Sequence, residues 1–168
     1  MSNPNLAILE LVAHALGPVC DDVVFVGGCA TGLLLTQARP DRIRITEDVD
    51  IVAQALTVHD YHAIEARVRA QGFSNDMRPK APICRWVYKN VTLDLMPTVK
   101  NILGFANKWY PLAIATAQPV TLPSGKPSNL SPHRSSLPPN WKHLKTVARM
   151  QAGSQTCWAA TTSKTSSP

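Results

Sequence analysis

The chain has 168 residues, enough for one domain with a buried core, and 45% of them are hydrophobic. No apolar run approaches the roughly 18–20 residues of a membrane-spanning helix, so no membrane partner is expected. The N-terminal residues lack the positive segment that opens a signal peptide. The four cysteines form no C-x-x-C pair, which argues against a zinc site and indicates free thiols. We therefore expect a cytoplasmic, globular protein.

The net charge of +6 is unevenly distributed along the chain. Residues 1–94 carry nine Lys or Arg against all eleven acidic residues, whereas residues 95–168 carry eight Lys or Arg and no acid. A basic C-terminal part can bind nucleic acid through phosphate contacts. It can also be a stretch that was never selected as protein sequence.

Apolar periodicity and turn residues divide the chain into helices and strands. The predicted helices cover residues 5–16, 30–38, 58–71 and 112–117, and the predicted strands cover residues 23–26, 49–53, 83–88 and 91–96. Thr57 is expected to cap the third helix, and Lys89-Asn90 to join the last two strands. This order predicts an α/β (α+β) fold, a mixed sheet with flanking helices.

From residue 119 the composition changes to one rich in Pro, Ser and Thr, with little apolar periodicity. Such a composition favours loop or disorder, because it offers too little apolar surface to offset the entropy of ordering. We predict a core over residues 1–118 and a basic tail over residues 119–168.

Asp48 and Asp50 form a D-x-D motif at the head of the second strand. Alternation along a strand points both carboxylates to one face, with Cα atoms about 6.5–7 Å apart. They repel each other unless a cation lies between them, and oxygen ligands of this kind suit Mg²⁺. The alternative is a solvated acidic loop, which is the commoner origin of a lone D-x-D.

Asp94 lies in the strand V-T-L-D-L-M, on the face opposite the apolar positions. A charged group in an apolar strand is costly unless it is paired or bound to a metal. Asp94 is therefore a third metal-site carboxylate, an ordinary edge-strand acid that faces water, or a partner for Arg85 on the neighbouring strand.

Gly27-Gly28 follows the first strand and precedes a helix. Without Cβ atoms, backbone N–H groups can approach phosphate oxygens closely at the positive end of that helix. The alternative is a tight strand-to-helix turn. The motif is neither a dinucleotide fingerprint nor a P-loop. The next residue, Cys29, is either a thiol of lowered pKa or a small core residue, and the second is favoured because no histidine accompanies it.

Arg42 and Arg44 flank the D-x-D motif and can meet phosphates. Their alternative is a solvated basic loop.

Glycines after the first strand (Gly27-Gly28), D-x-D on the second (Asp48/Asp50) and one later Asp (Asp94) resemble the pattern of the DNA polymerase β-like nucleotidyltransferase superfamily. The stretches T-x-D-V-D, ICRW, LDLMP and LGF-x-N-x-WY are similar to bacterial nucleotidyltransferases grouped with the abortive-infection toxins; they cover residues 46–50, 83–86, 93–97 and 103–110. The resemblance spans roughly residues 5–125. Cys29 departs from it, since many members carry serine there.

The resemblance implies transfer of a nucleoside monophosphate from an NTP to an acceptor hydroxyl, with release of pyrophosphate. Asp48 and Asp50 would bind two Mg²⁺ ions, or Mn²⁺ in their place, and Asp94 would bind the catalytic ion. The implied nucleotide-binding residues are Gly27, Gly28, Cys29, Arg44 and Thr46. The implied partners are an RNA acceptor such as a tRNA end and an antitoxin protein.

The tail lacks the segments A-T-K-L-E-A-F and S-H-D-L-E-D with which that toxin group continues. Reading the last base of each codon with the first two of the next forces Leu-Glu across residues 140–142 and Leu-Gly across residues 157–159. We hypothesise a frameshift near residues 125–128, which resequencing of the gene tests. The alternatives are an inactive remnant of the enzyme and a nucleic-acid binding module that uses a genuine basic tail.

Overall fold

A mixed sheet of seven strands organises residues 4–34 and 48–131, which are the residues that the computed structural model describes. The strands are β1 (Val23–Val26), β2 (Asp48–Ala53), β3 (Ser74–Asn75), β4 (Arg85–Tyr88), β5 (Val91–Pro97), β6 (Gln118–Thr121) and β7 (Pro127–Leu130). Their order across the sheet is β3-β4-β5-β2-β1-β7-β6. Strand β2 runs antiparallel to β1 and parallel to β5, so the centre of the sheet is mixed, as predicted.

Helices flank this sheet. They are α1 (Pro4–Leu16), α2 (Gly27–Leu34), α3 (Val58–Ala70), α4 (Lys100–Leu103) and α5 (Tyr110–Ala115), with a 3₁₀ helix over Gly17–Asp22 between α1 and β1. Leu9, Val12 and Leu16 recur at three- and four-residue spacing in α1, and all three are fully buried against α2 and the sheet. The predicted α/β fold is confirmed.

Helix α3 begins at the predicted cap. The Thr57 hydroxyl accepts a hydrogen bond from the Asp60 N–H, and the Asp60 carboxylate accepts one from the Thr57 N–H. This reciprocal capping box satisfies two backbone donors that the helix itself leaves unpaired. Tyr61 then anchors the helix to the sheet, because its buried hydroxyl donates to the Leu95 carbonyl oxygen.

Strands β4 and β5 form the predicted hairpin around Lys89-Asn90. Their register pairs Tyr88 with Val91 and Arg85 with Asp94. The strand begins at Arg85 rather than at the predicted residue 83, and the exposed Ile83 lies outside the sheet. Strand β3 was not predicted; two residues are too few to show a pattern.

Residues 118–130 form a second hairpin that extends the sheet beyond the predicted boundary at residue 118. Phe25 of β1 pairs in parallel with Leu130 of β7, and the Ser131 N–H donates to the Phe25 carbonyl oxygen. Leu122 and Leu130 are buried in the core. The predicted structureless tail is therefore wrong for residues 119–130. Burial of these two leucines and backbone pairing with β1 are enough to order this hairpin. The rest of the predicted tail, residues 132–168, lies outside the described residues.

The described residues all belong to one compact unit that spans Met1–Leu137. Among the helices of residues 4–34 and 48–131, none has both the length and the apolar character needed to cross a bilayer.

Candidate active site

The parallel pairing of β2 and β5 brings the predicted carboxylates together. Asp50 lies directly beside Asp94, and Asp48 lies beside Thr92, one row earlier on the same face. The three acids come from segments more than 40 residues apart, yet they occupy neighbouring positions because strand side chains alternate between faces.

The intervening residues of the same strands face the apolar core. Val49 and Ile51 on β2, and Leu93 and Leu95 on β5, have no solvent exposure. Strands β2 and β5 therefore each have one face buried in the core and one face that carries the charged residues.

Arg85 of β4 pairs with Asp94 on this charged face. Its Nε and one terminal nitrogen donate to the two oxygens of Asp94, each at 2.8 Å. The same terminal nitrogen lies 3.8 Å from an oxygen of Asp48. The bidentate pair offsets the cost of burying Asp94, whose side chain is 8% exposed. The predicted alternative, an ion pair of Asp94 with Arg85, is thus what the structure contains.

Among the described residues, the site holds three carboxylates and one guanidinium, and the pKa of Asp50 is raised. Burial first, and then the negative charges of Asp48 and Asp94, raise the pKa of Asp50 to about 6, while Arg85 lowers it. Such mutual repulsion marks a place where an added cation is favourable.

The three carboxylates differ in how well they suit a divalent ion. Asp48 and Asp50 supply carboxylate oxygens, the ligands that Mg²⁺ prefers, and they fit such an ion. Asp94 differs, because both of its oxygens accept hydrogen bonds from Arg85. In the described part of the chain, no three Asp, Glu, His or Cys side chains are arranged to hold a metal together. Each of these oxygens keeps a second lone pair, so a third metal contact by Asp94 would have to come from the side that Arg85 leaves open.

Gly27 joins β1 to α2 at the charged face. Its φ of +73° is in the left-handed region, and a Cβ there would collide with Oδ2 of Asp50. Glycine at this position is thus required twice, by backbone conformation and by the approach of the carboxylate. Gly27 and Gly28 are both exposed, and helix α2 begins at Gly27 itself.

Cys29 is a core residue, as the sequence favoured. It is 1% exposed, and its thiol donates to the Asp48 carbonyl oxygen at 3.4 Å. Burial and the charges of Asp48 and Asp50 raise the pKa of Cys29 to about 12. A nucleotide contact by Cys29 therefore rests on its backbone N–H. Arg44, Thr46 and Arg42 lie outside the described residues.

Tyr110 is a neighbour of the site that sequence reasoning missed. It opens α5, which packs against β1 and β2. Burial, followed by the charges of Asp50, Cys84 and Asp94, raises the pKa of the Tyr110 phenol. The residue belongs to the W-Y pair of the sequence, but no local pattern could place it beside strands so distant in the chain.

Comparison of the sequence with protein-family profiles and with curated proteins finds no match. Among solved structures, the fold is similar to the solution structure of the antibiotic-resistance factor ANT(2'')-Ia. The TM-score is 0.46 and the sequence identity 13%, over 88% of this chain and 86% of that chain. The activity must therefore be argued from the residues themselves.

Proposed function

We propose that this protein is a metal-dependent nucleotidyltransferase that moves a nucleoside monophosphate from an NTP to an acceptor hydroxyl and releases pyrophosphate. The observation that carries the proposal is the side-by-side placement of Asp50 and Asp94, with Asp48 one row away. All three lie on the face of the sheet opposite the apolar core. Gly27 supports the proposal from the neighbouring strand, because a Cβ at this position would meet the carboxylate of Asp50.

The three carboxylates have different tasks in this proposal. Asp48 and Asp50 would hold two Mg²⁺ or Mn²⁺ ions, and Asp94 would hold the catalytic one and accept the proton of the acceptor hydroxyl. When bound, such ions activate the attacking oxygen and stabilise the leaving one. Burial is the largest cause of the raised pKa of Asp50, and repulsion from Asp48 and Asp94 adds to it. A bound cation would relieve that repulsion, which supports this role.

Arg85 acts on Asp94 in the same scheme. The two 2.8 Å hydrogen bonds fix the carboxylate in position and compensate its charge before substrates bind. Each oxygen of Asp94 keeps a second lone pair, so the pair with Arg85 is compatible with Asp94 as a metal ligand or a base. The same guanidinium lies 3.8 Å from an oxygen of Asp48 and so places positive charge beside a second carboxylate of the site.

The phosphates of the NTP are assigned to the turn at the start of α2. Gly27 and Gly28 are exposed and can bring their backbone N–H groups close to phosphate oxygens. The Cys29 N–H extends the same cradle. Arg44 and Thr46, outside the described residues, remain proposed nucleotide ligands by resemblance.

An RNA acceptor such as a tRNA end, and a toxin role with an antitoxin partner, extend this proposal by resemblance to the abortive-infection group. They are tested by offering labelled NTP with total RNA and looking for transfer of the label.

An inactive remnant of such an enzyme is the second candidate, and Ser128 favours it. Its hydroxyl is buried in β7 without a hydrogen-bond partner among the described residues. Buried hydroxyls are normally paired. The orphaned group lies where the frameshift is hypothesised, as expected if this codon was not selected to be read as serine.

Isothermal titration of Mg²⁺-NTP tests the main proposal. We expect binding by the parent protein and its loss in Asp48→Ala/Asp50→Ala. Asp22→Asn is the matched control, because Asp22 lies at the opposite end of β1 and pairs with Arg67 on the surface. Absence of binding by the parent, or undiminished binding by the double variant, contradicts the proposal. Binding without pyrophosphate release favours the remnant.

A further inference from the structure

A second apolar layer lies on the charged face of the sheet. Val24 of β1 and Val52 of β2 are aligned in the strand register, and alternation points both to the face that carries Asp50. They are 6% and 0% exposed, yet they lie outside the main apolar cluster of the described residues. Another element must therefore cover β1 and β2 on this face.

Helix α5 provides this cover. It contacts both β1 and β2, and its apolar residues Leu112 and Ile114 are partly buried. Asp50 lies two residues before Val52 in β2, and residues two apart in a strand are about 6.5–7 Å apart on the same face. The helix therefore lies immediately beside the carboxylates.

Tyr110 is the first residue of α5, and the preceding turn fixes its backbone. The Asn107 side-chain oxygen accepts a hydrogen bond from the Trp109 N–H at 3.1 Å, and the Asn107 carbonyl oxygen accepts one from the Tyr110 N–H at 3.0 Å. Burial is the largest cause of the raised pKa of the Tyr110 phenol, and the charges of Asp50 and Asp94 add to it. The ring therefore borders the carboxylates from a fixed backbone position.

The Tyr110 hydroxyl is available to a ligand. Within residues 4–34 and 48–131 it makes no hydrogen bond, whereas the Tyr61 hydroxyl donates to the Leu95 carbonyl oxygen. Tyrosine hydroxyls that are removed from water usually have a partner. A phenol also donates without adding positive charge, so it can serve a ligand beside Asp50 without replacing the cation that the carboxylates favour.

Asp50 lies between the glycine turn and helix α5. Gly27 follows β1 just beyond the residue that pairs with Asp50, whereas α5 covers the strands in the opposite direction, at Val24 and Val52. A nucleotide whose phosphates meet the glycine turn and the ions at Asp50 would therefore have the Tyr110 ring as its other border.

We infer that Tyr110 is a substrate-binding residue, whose hydroxyl donates a hydrogen bond to an oxygen of the NTP held at Asp50. This inference rests on the proposed function and adds to it a residue from helix α5. The oxygen belongs to a phosphate or to a ribose hydroxyl, because both accept a hydrogen bond from a phenol.

Two conservative variants separate this contact from packing. Tyr110→Phe removes the hydroxyl and keeps the ring that covers the sheet. Tyr88→Phe makes the same chemical change on the opposite face, where the Tyr88 ring lies 5.0 Å from that of Phe73. Both variants should melt at the temperature of the parent, since each retains its ring.

Isothermal titration with each of the four Mg²⁺-NTPs identifies the nucleotide that binds most tightly. We expect Tyr110→Phe to weaken its binding roughly three- to tenfold, the usual contribution of one hydrogen bond, and Tyr88→Phe to bind like the parent. The 2′-deoxy and 3′-deoxy forms then locate the oxygen. An unchanged ratio of the two dissociation constants assigns the bond to a phosphate, and a ratio that falls to one assigns it to the missing hydroxyl.

Tyrosine ring signals in NMR spectra give a second measure of the contact. The chain has three tyrosines, so the Phe variants assign the signals of Tyr110 and Tyr88. Addition of the Mg²⁺-NTP should shift the Tyr110 signal and leave that of Tyr88 in place.

The inference is overturned if Tyr110→Phe binds every nucleotide like the parent, or if the Tyr110 signal does not respond to the nucleotide. In that case the proposed function stands as long as Asp48→Ala/Asp50→Ala loses binding. Absence of NTP binding by the parent overturns both, so the two failures are distinguishable.

Discussion

At the start of strand β2, charged residues on one face of the sheet alternate with buried apolar residues on the other. Ile51 is fully buried in the apolar core, whereas Asp50, its neighbour in the chain, faces Asp94 and Arg85 on the other side of the sheet. The core face gains stability from burial, and the charged face loses some of it to repulsion between carboxylates. The difference indicates that the charged face is retained for a task other than folding, and that the two faces can be disturbed separately.

The largest effect on folding is expected from the core face. Ile51→Ala removes a fully buried side chain and should lower the free energy of unfolding by about 2–5 kcal/mol. Urea denaturation measures this change. The fraction that remains folded should still bind Mg²⁺-NTP, so loss of binding per folded molecule would show that the two faces are coupled.

The largest effect on activity is expected from the charged face. Asp50→Asn keeps the shape of the side chain but removes a charge that the proposed metal site needs. Pyrophosphate release should fall at least about 100-fold, which is the usual loss of rate when an enzyme loses a group that stabilises charge in the transition state. Activity within a fewfold of the parent would contradict the assignment of Asp50.

Gly27 affects both folding and the site, because it directly follows β1 and lies beside Asp50. Gly27→Ala should cost about 1–2 kcal/mol for the left-handed backbone, and its Cβ should also displace the Asp50 carboxylate. Gly104→Ala is the control, since Gly104 has a φ of +79° but no atom within 4 Å of an added Cβ. Equal losses in thermal melting would mean that the contact with Asp50 carries no energy.

The charge of Asp50 also predicts a dependence of stability on pH. Its pKa rises from an ordinary value of 3.8 to about 6, so the folded protein binds this proton more tightly than the unfolded chain. The stabilising contribution is complete below pH 3.8 and is lost as the pH rises through about 6. Asp50→Asn should therefore gain stability relative to the parent between pH 4 and pH 7. Parallel pH profiles of the two proteins would contradict this.

The smallest effect is expected at Ser128 in β7. Ser128→Ala removes a buried hydroxyl that has no partner among the described residues, and the free energy of unfolding should rise by about 1 kcal/mol. Ser124→Ala, at an exposed position of the same hairpin, should change nothing measurable. A loss of stability at Ser128 would show that the hydroxyl is paired in solution.

Local patterns in the sequence were sufficient for several features. The strand over Val23–Val26, the cap at Thr57 and the Lys89-Asn90 hairpin follow from apolar runs and turn residues close in the chain. The two-residue turn even implies the pairing of Arg85 with Asp94, because a hairpin aligns residues at equal distances from its turn.

Other features depend on residues that meet only in the folded chain. The parallel pairing of β2 with β5, the contact of Gly27 with Asp50 and the approach of Tyr110 to the carboxylates join segments that share no local signal. Strand β7 was missed for the same reason, since it is ordered by pairing with β1 rather than by its own composition.

The sequence by itself thus determined which residue types carry charge and to which face of their strands they point, because alternation is a property of the single strand. Only the tertiary structure decided which strands are neighbours. That choice places Asp50 beside Asp94 and pairs Asp94 with Arg85. The physical reason is that strand order is set by the burial of the whole apolar face, to which distant segments contribute together.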